Sequence, residues 1–385
     1  MNNSIALAPS KPHYAILDGL RGVAAVTVMF FHLLEPHAKG DHTAQIINHG
    51  YLAVDFFFVL SGFVIAYAYD NRWEKGMRAS AFFKRRLVRL HPMVVLGSLI
   101  GGATFFLQGS AVFPAWDSAT VWGVIGCTLL GCTLLPLPVS MDIRGWEEMH
   151  PLNGPAWTLY FEYIANIAYA LVLRRIGRGI LAVLVACAAA ATLHLCLTSP
   201  QGDIVGGWSL TAEQQLWGLT RLACPFLSGL LLSRMGWQLR LGRHAFAVCA
   251  LALVVLLAFP RLGGPHFWVN GLYEACCIIF LFPLIVAAGS GGRLEGRRRT
   301  AICRFLGDIS YPLYLVHYPF VYLYTAWVAN HDATLAESLP RMVLVAAACL
   351  ALAYAALRCY DLPVRRWLAA RLLPRPDKSR AAARP

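Results

Sequence analysis

The sequence predicts an all-α membrane protein, a bundle of about ten transmembrane helices, and three observations lead to this fold class. Of the 385 residues, 58% are hydrophobic and only 14% are charged, whereas soluble domains carry roughly a quarter charged residues. Apolar stretches of about 20 residues, long enough to cross a hydrocarbon core, recur along almost the whole chain. These stretches lack the period-two alternation of barrel strands, so we expect helices, which satisfy their own backbone hydrogen bonds in lipid.

The spans are placed by apolar length, and the positive charges orient them. We predict spans near residues 15–34, 50–69, 90–108, 156–174, 179–197, 213–232, 245–260, 267–288, 305–328 and 340–358. With a cytoplasmic N-terminus, the inner segments hold 27 of the 33 Lys and Arg residues and the outer segments hold four. This asymmetry follows the positive-inside rule and places both termini in the cytoplasm. It also accounts for the net charge of +13, so no nucleic-acid partner is expected.

The apolar run at 119–138 is interpreted as a re-entrant or interfacial segment rather than as a further span. A full crossing there would invert every later span and place basic loops outside. Two prolines near its end, Pro136 and Pro138, fit a segment that turns back. The stretch 109–155 then becomes the largest external feature, rich in Trp, Pro and Gly and suited to contacting an external substrate.

The chain is expected to form one transmembrane domain over residues 1–373, followed by a disordered cytoplasmic tail over residues 374–385. The first apolar run is too long for a cleavable signal peptide. The 11 cysteines lie mainly within apolar runs without a CxxC pair, so neither a disulfide framework nor a zinc site is predicted. HExxH and GxSxG are absent, which argues against a metal-dependent enzyme and a serine hydrolase. The sequence does not define an oligomeric state.

Charged residues in the first span are candidate functional groups, because an ionisable group within a span costs about 3 kcal/mol by insertion scales. Asp18, Arg21 and His32 share one helical face, with Arg21 and His32 about 20° apart at 100° per residue. About 16 Å of helix separates Arg21, toward the cytoplasm, from His32, near the outer side. A structural interpretation stays open, in which Asp18 and Arg21 form an ion pair and His32 hydrogen-bonds a carbonyl.

Polar stripes in other spans indicate a polar cavity inside the bundle. In the ninth span Ser310, Tyr314 and His317 lie within about 40° of one another at helical spacing. Pro312 and Pro319 in the same span free backbone carbonyls and allow kinks. The candidates for a substrate site or cavity wall are Asp55, Ser61, Trp157, Glu162, Ser310, Tyr311, Tyr314 and His317.

A basic cluster lies at the cytoplasmic end of the third span, in FKRRLVRLHP. Arg86 and Arg89 share a helical face at i,i+3, and Arg85 flanks them. Two interpretations stay open. These arginines anchor the helix end, as the positive-inside rule expects, or they bind phosphate, whose geometry an arginine fork matches.

Six sequence blocks resemble, in order, the motifs of the acyltransferase 3 family of bacterial membrane O-acyltransferases. The blocks are LDGLRGVAAVTVMFFH, VDFFFVLSGF, RRLVRLHP, PAWTLYFEY, ISYPLYLVHYPF and DLPVRRWL, between residues 14 and 368. Two positions depart from the family pattern, since Thr158 stands where serine is common and Asp361 where glutamate is common. The chain also ends too early for the soluble SGNH-type domain that some members carry.

The resemblance implies a catalytic role for His32, an essential role for Arg21 and acyl-CoA contact by Arg86 and Arg89. Asp18 is grouped with Arg21 as a residue that orients the donor or tunes the histidine. The implied reaction is O-acetylation at the bacterial inner membrane, with acyl-CoA, expected as acetyl-CoA, as the donor substrate and no bound cofactor or metal. The expected acceptor is a hydroxyl of a surface polysaccharide, an exopolysaccharide or a lipid-linked precursor.

Other functions stay open at this point. The acceptor could be a macrolide or another small glycosylated metabolite, which some family members modify. A transporter of a lipid-linked sugar or an acidic solute would also carry charged residues in ten spans, although the inverted repeats and paired broken helices typical of transporters are not visible. A sensor or scaffold without catalytic activity is a further class. The sequence decides neither the acyl chain length nor between direct transfer and a covalent acyl-enzyme.

Overall fold

The computed structural model describes residues 13–41 and 43–373, and within them all regular structure is helical. The tail predicted to be disordered, 374–385, lies outside the described residues. The α-helices in this part of the chain are α1 (Ala15–Ala38), α2 (Ala53–Glu74), α3 (Ala79–Thr104), α4 (Val121–Thr133), α5 (Ala156–Leu171), α6 (Arg178–Thr198), α7 (Ala212–Met235), α8 (Ala245–Leu257), α9 (Trp268–Cys276), α10 (Phe282–Gly291), α11 (Arg297–Val316), α12 (Tyr318–His331), α13 (Leu335–Ala356) and α14 (Leu362–Leu372).

Seven helical segments of the described chain are long and apolar enough to cross a membrane. They are Ala15–Ala38, Gly50–Glu74, Ala79–Leu107, Arg178–Thr198, Ala212–Met235, Gly264–Gly291 and Leu335–Leu372. The predicted all-α class and the predicted membrane character are therefore confirmed. The other three predicted spans coincide with α5, α8 and the pair α11–α12, which are shorter or less apolar. The count of ten spans and the side of each terminus stay predictions.

The run predicted to be re-entrant forms α4 and then an irregular segment that leads to α5. The 13 residues of α4 extend over about 20 Å, less than the roughly 30 Å of a hydrocarbon core. However, α8 has the same length and is predicted to span the membrane. Length therefore does not separate the two helices, and the re-entrant path of α4 stays a prediction.

Two long helices each contain a π-helical turn that is followed by a proline. The turns are Cys277–Leu281, before Pro283, and Leu357–Asp361, before Pro363. Proline has no amide hydrogen and clashes with the carbonyl four residues earlier, and the wider π turn relieves that clash. The second turn contains Asp361, one of the two residues that depart from the family pattern. Its carboxylate accepts a hydrogen bond from Arg365 at 2.7 Å.

The ninth predicted span is interrupted at His317, where α11 ends and α12 begins. Pro319 has no amide hydrogen to donate to the carbonyl of Leu315, four residues earlier. The side-chain amide of Asn153 donates to that carbonyl instead, at 2.9 Å. The segment before α5 is thereby fixed to the interruption, which lies beside Pro319, whereas Pro312 lies within α11. The kinks that these two prolines allow stay a prediction.

Glycines let two pairs of helices pack backbone against backbone. A Cβ at Gly62 of α2 would lie 2.0 Å from the carbonyl oxygen of Phe226 of α7. A Cβ at Gly22 of α1 would lie 2.5 Å from the carbonyl oxygen of Leu306 of α11. Small residues at helix contacts are typical of membrane proteins, where dispersion rather than the hydrophobic effect holds helices together. The second contact places the polar face of α1 against α11.

Candidate active site

Two adjacent cavities lie inside the helix bundle. One has a volume of about 180 Å³, and we name it the arginine cavity. The other has a volume of about 600 Å³, and we name it the histidine cavity. Val54 and Tyr314 line both cavities, so the two spaces share a wall. The polar residues that line the arginine cavity are Arg21, Ser61, Arg86, Arg89, Thr158, Glu162, Ser310, Tyr311 and Tyr314.

Arg21 is fixed between α1 and α11. Its guanidinium donates to Ser310 Oγ at 2.8 Å and to the carbonyl oxygen of Gly307 at 2.9 Å. Asp18 lies 3.2 Å from the same guanidinium and also pairs with His13 at 2.9 Å. The i,i+3 ion pair of the structural interpretation is therefore present, and the same geometry holds Arg21 at the wall of the arginine cavity.

Arg86 and Glu162 join α3 to α5 at the wall of the arginine cavity. Their Nη2 and Oε1 atoms are 2.5 Å apart, and Ser61 Oγ donates to the same carboxylate at 3.2 Å. Arg89 lines the same cavity one helical turn further along α3. Arg85 instead donates to the carbonyl oxygen of Ala81 in its own helix and lines neither cavity.

His32 lines the histidine cavity near the end of α1. Its Nδ1 lies 2.6 Å from Glu35 Oε2, one turn later on the same helix. The ring of His317 stacks against the imidazole at a centroid distance of 5.6 Å, and Tyr318 meets it edge-on at 4.8 Å. His317 is buried and lines neither cavity, and its Nδ1 lies 2.9 Å from the carbonyl oxygen of Leu313. The helix interruption thus supplies His317 and Tyr318, while α1 itself supplies Glu35 and Phe31, whose ring centroid lies 4.9 Å from that of His32.

Two sequence blocks meet beside the wall shared by the two cavities, where Thr158, which lines the arginine cavity, contacts Tyr314, which lines both. Thr158 of PAWTLYFEY and Tyr314 of ISYPLYLVHYPF have hydroxyl oxygens 3.0 Å apart, and Thr158 also donates to the carbonyl oxygen of Pro155 at 2.9 Å. Phe57 packs edge-on against the ring of Tyr314. Thr158 therefore keeps the hydroxyl of the usual serine and uses it to hold Tyr314. Tyr311 lines only the arginine cavity and donates to the carbonyl oxygen of Leu90.

Asp55 and Arg221 form a buried ion pair between α2 and α7. The Nη2 and Oδ2 atoms are 2.8 Å apart, and each side chain is at most 2% exposed. Arg221 also donates to the carbonyl oxygens of Tyr51 and Gly206, both at 3.0 Å, and lines the histidine cavity. Asp55 itself lines neither cavity, so it acts on the site only by fixing Arg221.

The histidine cavity has an aromatic wall and a second carboxylate. Tyr322 donates to Glu148 Oε2 at 2.5 Å, and Arg144 Nε lies 3.8 Å from the same oxygen. Glu148 lies in the loop before α5, outside the spans, and burial raises the pKa of its carboxyl to about 7. The aromatic residues that line this cavity are Phe31, Tyr51, Trp146, Trp157, Trp208, Tyr314, Tyr318 and Tyr322.

Sequence reasoning did not identify Glu35, Glu148 or Tyr322 as site residues. Glu35 was missed because the first apolar run ends at residue 34, whereas α1 continues to Ala38. The i,i+3 spacing from His32 would have revealed it. Glu148 belongs to the stretch 109–155, which the sequence predicted to contact substrate without naming a residue.

The comparison with known families covers the site residues described above in a single match. Residues 14–358 match the family model described as an acyltransferase domain. The chain belongs to the acyltransferase 3 family. The matched range contains five of the six blocks and confirms the family resemblance, whereas DLPVRRWL, at residues 361–368, lies beyond it. The protein is therefore an acyltransferase.

Three relatives illustrate the range of this family. Protein 2 in the picA locus of Rhizobium radiobacter is 34% identical over 43% of this chain and 85% of its own length. Acyltransferase MdmB of Streptomyces mycarofaciens is 26% identical over 78% of this chain and 77% of its own length. Peptidoglycan O-acetyltransferase OatA of Listeria monocytogenes is 24% identical over 93% of this chain, which spans 56% of OatA. No solved structure matches the chain.

Proposed function

We propose that this acyltransferase moves an acyl group, expected as acetyl, from cytoplasmic acyl-CoA to a hydroxyl of a glycan. The glycan would be a surface polysaccharide, an exopolysaccharide or a lipid-linked precursor at the bacterial inner membrane. The observation that carries this proposal is the pair of cavities with a shared wall, one lined by arginines and the other by a histidine. A donor in one cavity and an acceptor in the other would meet at Val54 and Tyr314.

The arginine cavity suits an acyl-CoA donor. Arg86 and Arg89 present two guanidinium groups that can bind phosphate with paired hydrogen bonds. Phe57, Phe58 and Leu159 supply the apolar part of the same wall, which fits the pantetheine arm. The positive-inside rule assigns this end of the bundle to the cytoplasm, where acyl-CoA is made.

The histidine cavity suits a sugar acceptor. Its aromatic side chains offer flat apolar faces with polar edges, on which the face of a sugar ring can pack. Glu148 and Glu35 offer carboxylate oxygens to hydroxyl groups in the same space. A cavity of about 600 Å³ is large enough for one or two sugar rings of a longer chain.

The proposed chemistry uses His32 as a general base. Its Nε2 takes the proton of the acceptor hydroxyl while the hydroxyl oxygen forms a bond to the thioester carbonyl carbon. The carbon–sulfur bond then breaks, the proton passes from the imidazolium to the leaving thiolate, and the products are an ester and CoA. A mechanism with a covalent acyl-enzyme can be distinguished from this direct transfer. Incubation with acetyl-CoA labelled in its acetyl group, without an acceptor, would then leave the label bound to the protein.

The test uses the purified full-length protein in detergent with acetyl-CoA and methyl β-D-glucopyranoside, following thiol release and ester formation. We expect His32→Ala to lose at least ~100-fold in kcat, and His266→Ala, at an exposed histidine, to keep wild-type activity. Glycan ester content in a deletion strain would identify the natural acceptor. Wild-type protein that neither transfers nor hydrolyses acetyl-CoA would refute the function.

A macrolide or another small glycosylated metabolite is the second candidate acceptor, because the family resemblance implies such acceptors for some members. A macrolide that carries a free sugar hydroxyl serves as the competing probe in the same assay. The better acceptor is the one with the higher kcat/KM. A transporter instead would move labelled glycan precursor into vesicles without releasing thiol.

A further inference from the structure

Glu35 stands out among the carboxylates of the histidine cavity because it is bonded directly to His32. The Nδ1 to Oε2 distance of 2.6 Å is short for a neutral hydrogen bond and typical of a charge-assisted one. The contact spans one helical turn at i,i+3, so a single helix sets its geometry. His32 is the only ionic partner of Glu35 among the residues that the structure describes.

The bond to Glu35 determines which nitrogen of His32 is free. An ionised carboxylate only accepts hydrogen bonds, so Nδ1 must carry the hydrogen. The neutral ring then has its lone pair on Nε2, which has no hydrogen-bond partner within the described chain. The ring lines the cavity, so the free nitrogen is available to an acceptor hydroxyl.

The other neighbours of His32 cannot replace Glu35. His317 stacks on the ring, but its own Nδ1 bonds the carbonyl oxygen of Leu313. The ring of Tyr318 lies nearly perpendicular to the imidazole, at an interplanar angle of 85°, and no hydrogen bond joins its hydroxyl to Nδ1 in the described chain. Glu148 is bonded to Tyr322 and paired with Arg144. Glu35 alone is placed to hold the Nδ1 hydrogen.

We propose that Glu35 is the positioning residue of His32, which fixes the tautomer and orientation of the ring and stabilises the imidazolium formed when the proton is taken. This inference rests on the proposed function, since it assumes that His32 is a general base. Removing the carboxylate should slow the chemical step and leave the binding of both substrates unchanged.

The test compares Glu35→Gln and Glu35→Ala with Glu295→Gln, the same amide change at an exposed glutamate. The assay measures thiol release and ester formation from acetyl-CoA and methyl β-D-glucopyranoside. We expect kcat of the Glu35→Gln variant to fall at least ~10-fold, with both KM values within about threefold of wild type. Formate should restore part of kcat in Glu35→Ala by occupying the vacated carboxylate position. Glu295→Gln should behave as wild type.

The results for Glu35→Gln and His32→Ala together show whether the inference alone is wrong or whether the role of His32 is wrong as well. If kcat of Glu35→Gln falls by less than tenfold, the positioning role is overturned. A larger fall also overturns it if KM rises to a similar extent or if the variant loses thermal stability. Those results would mark a role in binding or folding. If His32→Ala also keeps wild-type activity, the general-base role of His32 fails together with the inference, while the proposed acyl transfer stands; the proposed function itself fails only if the wild-type protein is inactive. If only His32→Ala is inactive, the inference alone fails.

Discussion

Charged side chains around the two cavities pair across helices, and one of the two pairs is buried while the other is partly exposed. Asp55 is paired with Arg221, and Glu162 is paired with Arg86. Removing one partner of a buried pair leaves a costly uncompensated charge. Substitutions that keep the charge and alter only the geometry are therefore the informative ones.

The first prediction concerns the donor site. Arg86→Lys keeps a cation beside Glu162 but loses the planar fork that matches phosphate. We expect the KM for acetyl-CoA to rise about tenfold with kcat nearly unchanged, measured by thiol release at several donor concentrations. Arg85→Lys is the matched control, because Arg85 lines neither cavity and should keep the wild-type KM. Equal effects of both substitutions would contradict the assignment of Arg86 to the donor.

The second prediction concerns Glu148 and pH. Burial raises the pKa of this carboxyl from about 4.5 to about 7, so the folded protein binds the proton more tightly than the unfolded chain. The contribution of this carboxyl to the free energy of unfolding should therefore be largest below pH 4.5 and fall as the pH rises to 7, by an amount on the order of 3 kcal/mol. Thermal unfolding in detergent between pH 4.5 and 8 measures this slope.

Glu148→Gln removes the titrating group, so we expect its slope over this pH range to be flatter. Glu147→Gln, at the exposed neighbouring residue, should keep the wild-type slope. Identical slopes for wild type and Glu148→Gln would show that the carboxyl does not titrate in this range.

At the scale of helices, close packing through glycine determines which faces meet. The contact between α2 and α7 fixes the Asp55–Arg221 pair, and the contact between α1 and α11 fixes Arg21. The helices cannot approach this closely with any larger residue at the crossing.

The third prediction tests one of these crossings. Gly62→Ala would place a Cβ 2.0 Å from the carbonyl oxygen of Phe226, so α2 and α7 must separate. We expect a loss of about 1–3 kcal/mol or more in unfolding free energy, seen as a lower Tm in detergent. Gly126→Ala in α4 is the control, since a Cβ there meets nothing within 4 Å. That change should be neutral or stabilise by about 0.5–1 kcal/mol, because alanine favours the helix.

The positions of the apolar helices could be predicted from the sequence because each is recorded in a local apolar run, whereas the polar helix α14 was not predicted. The same argument placed Asp18, Arg21 and His32 on one face, and Arg21 and His32 do contact α11 and its junction with α12. The length of an apolar run did not predict the end of a helix that continues beyond the lipid-compatible residues. It ended the first span at residue 34, and Glu35 was lost with the last turn of α1.

Contacts between distant residues could not be predicted from one sequence. Asp55 and Arg221 are 166 residues apart in the chain, and their pairing depends on the packing of α2 against α7. The contact between Thr158 and Tyr314 also joins residues that are distant in the sequence and depends on how the helices pack. The roles of these residues in catalysis stay predictions.

The whole molecule is organised around the boundary between the two cavities. Val54 and Tyr314 line both spaces, while Arg21, Arg86 and Arg89 line only the arginine cavity and His32 lines only the histidine cavity. The proposed reaction requires the thioester to reach His32 through this boundary.

The fourth prediction concerns a substitution that fills space at the boundary between the two cavities. Val54→Trp adds bulk at a residue that is 7% exposed and lines both cavities. We expect acetyl-CoA affinity to stay within about threefold of wild type while transfer falls at least ~10-fold. Binding is measured by titration calorimetry and transfer by ester formation. Val121→Trp, at a 60% exposed position on α4, is the control for added bulk. Unchanged transfer by Val54→Trp would mean that the acyl group takes another path.

The thinness of this boundary also has an electrical consequence. In the proposed orientation, water enters the arginine cavity from the cytoplasm and the histidine cavity from outside. Most of the membrane potential would then fall across the wall at Val54 and Tyr314, the two residues that line both cavities. The proposed transfer would carry the acyl group through the same part of the protein that bears this potential.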